Sequence, residues 1–237
     1  MRPYLFTAIS LLCLFNLIQN NEAMKRPLTT QTCQEDASTS SDNKVCAPYT
    51  IGDETLIEWQ KQTLSTDFLS AINNVAQGST TFTLMKGGWF IDSEIDCIIS
   101  IFPYVNTIIL DNYDISFSQM ARLTEALKHN DTIVALSLKN TNIGYEGAES
   151  LADMLLHNNT LRILYLSHNH IGARGAKLIC EGIQNNPDSA LMELNLRYNH
   201  MNLEETLAVY SPLIELKPYI RLYSEYPEIC TALGKCY

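Results

Sequence analysis

Residues 133–160 read IVALSLKNTNIGYEGAESLADMLLHNNT, and residues 161–186 read LRILYLSHNHIGARGAKLICEGIQNN. Placed one above the other, they keep their apolar positions in phase. Leu136 and Leu138 match Leu164 and Leu166, Ile143 matches Ile171, and Ala148, Leu151 and Leu155 match Ala176, Ile179 and Ile183. The repeat extends both ways. VNTIILDNYDI starts at Val105, 28 residues before Ile133, and LMELNLRYNHM starts at Leu191, 30 residues after Leu161. The two extra residues fall in the loop NNPDSA, 185–190. Self-similarity at such a period marks a solenoid, in which each unit buries its apolar side against its neighbours.

The period changes within each unit. Ile108/Leu110, Leu136/Leu138, Leu164/Leu166 and Leu194/Leu196 alternate with their neighbours, so each pair points inward from a short strand. Three residues after each pair comes Tyr113, Thr141, Asn169 or Asn199. An Asn there can satisfy backbone groups that the turn out of the strand leaves unpaired. Ile115, Ile143, Ile171 and Met201 then return the chain to the core. Beyond them the spacing lengthens toward 3.6, as in Met120/Leu123/Leu127 and Thr206/Val209/Leu213, which predicts a helix face. Gly144 and Gly147, echoed by Gly172 and Gly175, stand at the loop-to-helix joint.

This pattern resembles the leucine-rich repeat of the ribonuclease-inhibitor type, LxxLxLxxNxIxxxGaxxLaxxLxxN. Agreement is best over residues 133–186 and looser at Val105 and Leu191, where the loop Asn or the Gly is missing in turn. The resemblance implies an α/β solenoid over residues 81–218, with parallel strands on the concave face and helices on the convex face. Phe82, Leu84, Trp89, Cys97 and Ile101 read as a degenerate first unit. Solenoid ends expose apolar core, so residues 51–80 read as a helical N-terminal cap and 219–237 as a C-terminal cap. In the former, Leu56, Ile57, Trp59 and Leu64 precede a second helix bearing Phe68, Leu69, Ile72 and Val75. Tyr219 and Leu222 keep the repeat phase, with Ser224 in the next inward slot.

Residues 1–23 carry Arg2, an apolar run from Leu5 to Ile18 and small Ala23. That run is too short to span a bilayer and reads as a secretory signal peptide, so the mature chain is expected to be exported, off the membrane and monomeric. Residues 24–50 are poor in apolar side chains and read as a flexible linker. Cleavage after Ala23 removes Cys13 and leaves Cys33, Cys46, Cys97, Cys180, Cys230 and Cys236. Cys97 and Cys180 occupy apolar repeat positions and read as core thiols. The net charge is −10, which repels phosphate backbones and argues against nucleic acid.

No catalytic set, metal site or cofactor motif emerges. The Gly pairs lack the P-loop spacing, and no GxSxG or HExxH occurs. His170 and His200 share a slot of neighbouring repeats beside His168, but that slot elsewhere holds Asp114 and Asn142 and reads as solvent-facing. The sequons at Asn130 and Asn158 coincide with the repeat Asn after each helix. The informative surface is the concave strip. Residues flanking the buried pairs face outward: Thr107, Ile109 and Asp111; Ala135, Ser137 and Lys139; Ile163, Tyr165 and Ser167; Glu193, Asn195 and Arg197. An apolar-aromatic centre with charged surroundings suits a protein partner. The expected function is an exported interaction module binding a protein through this face, with Tyr165 central. The alternative is an enzyme regulator, GTPase-activating in style, acting through loop residues such as Arg174 and the histidines.

Overall fold

The structure is a computed structural model that describes residues 66–76, 78–84 and 86–229. The readings of residues 1–65, of the first cap helix and of Cys33, Cys46, Cys230 and Cys236 lie outside the described residues. Helix α1 (Thr66–Ala76) opens the described chain. There follow β1 (Thr81–Leu84), β2 (Gly88–Trp89), α2 (Asp92–Ser100) and a 3₁₀ turn (Phe102–Tyr104). Next come β3 (Thr107–Leu110), β4 (Tyr113–Asp114), α3 (Phe117–Leu127), β5 (Ala135–Ser137) and α4 (Gly144–His157). The chain continues through β6 (Ile163–Tyr165), α5 (Gly172–Asn185), β7 (Glu193–Asn195), α6 (Leu203–Leu216) and β8 (Arg221–Tyr223).

Six strands form one parallel sheet in the order β1-β3-β5-β6-β7-β8. Register advances by one repeat at each step: Phe82 pairs with Ile108, Ile108 with Leu136, Leu136 with Leu164, Leu164 with Leu194 and Leu194 with Leu222. All six are at most 1% exposed. Helices α3 to α6 pack each on the next behind the sheet. Parallel strands sit about 4.8 Å apart, whereas packed helices sit about 8–10 Å apart. The stack therefore curves, with strands inside and helices outside.

Two buried ladders tie the repeats together. At the strand exit, Asn169 Oδ1 accepts from Thr141 N at 2.7 Å, while its Nδ2 donates to Leu138 O and Leu166 O. Asn199 repeats this one unit on, accepting from Asn169 N at 3.0 Å and donating to Leu166 O at 2.9 Å. After the helices, Asn158 donates to Leu127 O, and Asn186 donates to Leu155 O at 2.9 Å and Asn158 O at 3.0 Å. Lys217 takes the next rung, its ammonium donating to Asn186 O at 2.8 Å. These side chains satisfy backbone groups that the strand-to-helix and helix-to-strand turns strand away from water. The Asn158 amide nitrogen, the atom a glycan would occupy, is buried within this ladder.

Local sequence sets the joints. Gly144 and Gly172 have φ of +64° and +67°, a conformation costly for side-chain-bearing residues. Ser116 caps α3 and Asn202 caps α6, each in a reciprocal pair with the third helical residue, Gln119 or Glu205. A Cβ on Gly182 would meet the Ala152 carbonyl oxygen of α4 at 2.4 Å, so its hydrogen lets α4 and α5 approach.

The first unit departs from the expected phase. Phe82, Leu84, Cys97 and Ile101 are buried, but Trp89 is 80% exposed. The strand exit is one residue longer here, six positions from Leu84 to Phe90 against five from Leu110 to Ile115, so the chain turns inward one residue later. Phe90 fills the core and stacks on Tyr113 at 4.8 Å, while β2 pairs only with β4. Phe68 of α1 packs edge-on against Phe82 at 5.6 Å, which closes that end of the core. At the other end the repeat sheet enters the segment expected as a cap, because β8 is a sixth strand. There Ile220 is buried and Tyr219 exposed, so the inward position before Leu222 is Ile220. Cys97 and Cys180 are buried thiols. Among the described residues, no helix is long and apolar enough to cross a membrane.

Candidate functional site

Alternation places two rows of side chains on the concave face. One row runs Thr81, Thr107, Ala135, Ile163, Glu193, Arg221, and the other Thr83, Ile109, Ser137, Tyr165, Asn195, Tyr223. Of the expected surface residues, Ile109, Lys139, Ile163, Tyr165, Glu193, Asn195 and Arg197 lie half-buried on this face. Asp111, Ser137 and Ser167 do not belong to the surface; each is only 7% exposed. Asp111 turns along the strand ends, accepting from Ser137 Oγ at 2.6 Å and Lys139 N at 3.0 Å. Ser137 is a short side chain in register between Ile109 and Tyr165. Ser167 occupies the same repeat slot as Lys139 and Arg197, one repeat to either side.

Tyr165 is not a freely exposed ring. Its hydroxyl donates to Glu193 Oε2 at 2.8 Å. Tyr223 donates to the same oxygen at 3.1 Å, and Arg221 donates to Glu193 Oε1 at 3.2 Å. The two tyrosine rings meet edge to face at 6.1 Å. Cations cover both ends: Lys139 Nζ lies 4.8 Å from the Tyr165 centroid, and the Arg197 guanidinium lies 5.4 Å from that of Tyr223. The order Lys139–Tyr165–Tyr223–Arg197 thus forms a continuous band held from below by Glu193. Burial, and then the Glu193 carboxylate beside it, push the Tyr165 phenol well above the usual tyrosine range. Such a band presents aromatic area whose rotamers are already fixed, so less ordering entropy opposes docking.

Tyr223 and Arg221 were not among the expected site residues, because their segment read as cap rather than strand. The signal was present: Leu222 stands one repeat beyond Leu194, which puts Arg221 and Tyr223 in the outward slots of Glu193 and Asn195.

The loops at the strand exits carry a second group. His168 stacks on Tyr198 at 4.5 Å, and His170 stacks on His200 at 4.6 Å. All four side chains are exposed, as expected for the histidine slot. His170 Nδ1 and His200 Nε2 are in direct hydrogen-bond contact. Among the described residues, no group of three or more His, Cys, Asp or Glu is placed to hold a metal ion. Arg174 lies over the Tyr145 ring at 5.4 Å, within its own helical layer.

Comparison with known proteins agrees with this architecture. The leucine-rich repeat family profile matches residues 129–152 and 157–180. No curated protein sequence matches the chain. A similar solved structure is the leiomodin-1 actin-binding site 2, at 23% identity and a TM-score of 0.53, covering 61% of this chain and 87% of that one. Repeat sequence and fold together make this a leucine-rich repeat protein, an α/β repeat solenoid. The pattern of residues 133–186 resembles the ribonuclease-inhibitor type.

Proposed function

We propose that the chain is an exported protein-binding module that docks its partner on the concave face, around Tyr165 and Tyr223. The observation that carries this reading is the Lys139–Tyr165–Tyr223–Arg197 band, in which both hydroxyls share Glu193. Aromatic and arginine side chains dominate binding energy in protein interfaces, above all where they are rigid and central. Six strands at about 4.8 Å spacing give a face roughly 25 Å across. A standard interface covers roughly 800 Å² per partner, so one protein fills most of that face. Lys139, Arg197 and Arg221 at its margins select acidic surface on the partner, although the whole chain is acidic.

The similar solved structure is an actin-binding site, so actin is the first protein to assay. The test is capture by the immobilised chain, with bound proteins identified by mass spectrometry. The parent and Glu149→Ala, a convex-face control, should retain the same partner, and a Tyr165→Ala/Tyr223→Ala variant should lose it. Equal capture by all three overturns the concave-face assignment. Export is tested separately. The mass of the protein recovered outside the cell should lack residues 1–23, and an intact Met1 there contradicts the signal-peptide reading.

A further inference from the structure

The loop edge holds a cleft of about 540 Å³ walled by the four stacked rings together with Asn140, Met201, Glu225 and Tyr226. The rings owe their alignment to the backbone. His168, His170, Tyr198 and His200 have φ of 63°, 53°, 57° and 60°, the left-handed region. In the preceding repeat the same two slots are Asn140 and Asn142, also left-handed, at 53° and 57°. Asn tolerates this conformation readily, whereas an ordinary side chain there costs about 1–2 kcal/mol. The repeat thus forces equivalent residues into one orientation at one spacing, and only the last two loops fill those slots with rings.

Glu225 completes the cleft. It is half-buried, and among the described residues its carboxylate has no hydrogen-bond or ion-pair partner. The chain around it is fixed. Tyr226 N donates to Ser224 Oγ at 3.0 Å, and Tyr226 Oη donates to Met201 O at 2.9 Å. The nearby Arg197 is engaged elsewhere, donating from Nε to Ser224 O at 3.0 Å and lying over Tyr223. The cleft therefore combines flat ring faces with one carboxylate that has no counter-charge among the described residues.

We propose that this cleft is a guanidinium site, taking an arginine side chain from a protein bound to the chain. A planar, weakly hydrated cation stacks on aromatic faces and donates two parallel hydrogen bonds to a carboxylate, which an ammonium does not. The protein uses the same stacking internally, at Arg197 over Tyr223 and Arg174 over Tyr145. The net charge of −10 favours a cation and opposes a phosphorylated ligand. A metal ion fits less well, since His170 and His200 direct ring nitrogens at each other. Only the source of the arginine rests on the protein-binding reading; the guanidinium site is testable without any partner.

The probe is N-acetyl-arginine methylamide, titrated at pH 7.5 into the full chain while histidine and tyrosine ring signals are followed by NMR. The lysine and citrulline analogues are the comparators. Saturable shifts are expected at His168 and Tyr198, with arginine binding at least about fivefold tighter than either comparator. Glu225→Gln should weaken arginine about tenfold. Tyr198→Asn, which installs the residue that Asn140 supplies one end of the loop row with, removes a ring while keeping the backbone conformation and should weaken it likewise. Unchanged melting temperatures establish that both variants fold. Equal binding of citrulline, shifts confined to the Tyr165 band, or parent-like affinity of Glu225→Gln would overturn the proposal. Loss of concave-face capture by Tyr165→Ala/Tyr223→Ala with these titrations unchanged separates the two sites.

Discussion

Replacing Asn169 by Ala should destabilise the fold by about 2–4 kcal/mol, from hydrogen bonding alone. The side chain is fully buried. Its Oδ1 accepts from Thr141 N at 2.7 Å, from Thr141 Oγ1 at 3.1 Å and from Ile143 N at 3.4 Å. Not all of these groups would be stranded. Thr141 Oγ1 also donates to Leu138 O at 2.9 Å, and Leu166 O also accepts from Asn199 Nδ2 at 2.9 Å. Two N–H groups remain, those of Thr141 and Ile143. A buried donor without a partner costs about 1–3 kcal/mol, and the longer Ile143 contact belongs at the low end. Small domains are stable by about 5–15 kcal/mol, so the loss is a large fraction of the total. Urea denaturation followed by circular dichroism measures it, with exposed Glu149→Ala as a control expected to stay within about 0.5 kcal/mol. A loss below about 0.5 kcal/mol for Asn169→Ala would show that the ladder does not hold adjacent repeats together.

Leu166→Ala removes a fully buried side chain one strand from Leu138 and should cost about 2–5 kcal/mol in the same assay; a surface-like value would place the strand in the opposite phase. Burial pushes the Cys180 thiol up to about 12, so iodoacetamide at pH 8 should leave Cys180 unmodified in the folded chain and label it in urea, as read by peptide mass spectrometry. The Tyr165 phenol is raised above its unfolded value, so its contribution is complete below about pH 10 and fades as pH climbs toward the folded value. Between pH 9 and pH 11 the parent should therefore lose more stability than Tyr165→Phe, and equal losses would mean that the phenol is neither buried nor hydrogen-bonded to Glu193 in solution.

The repeat was legible because strand and helix leave different periods in the same 28 residues, and ten apolar positions recur in phase through residues 133–186. Asn169 and Asn199 were legible for the same reason, since an amide in the strand-exit slot has one evident use. The ends were harder. Trp89 looks like a core residue in sequence, yet one extra residue in the first strand exit hands its place to Phe90. Leu222 was visible in phase, but Pro227 and Ser224 obscured that the sheet gains a sixth strand, and with it Tyr223. The outward strip was read correctly as to face and incorrectly as to access. Alternation says which side of a sheet a residue takes, whereas burial of Asp111, Ser137 and Ser167 depends on the bulk of neighbours one repeat away. The stacked rings at the loop edge follow from left-handed backbone at His168, His170, Tyr198 and His200; the sequence shows that His170 and His200 share a repeat slot, but not that the backbone of that slot is left-handed.

The most direct test of concave-face binding is amide hydrogen exchange of the chain with and without its captured partner. Peptides covering residues 135–139, 163–167, 193–197 and 221–225 should exchange more slowly in the complex, while the exposed faces of α4 and α5 keep their free rates. Slowing confined to α4 and α5, with the strand peptides unchanged, would contradict the account.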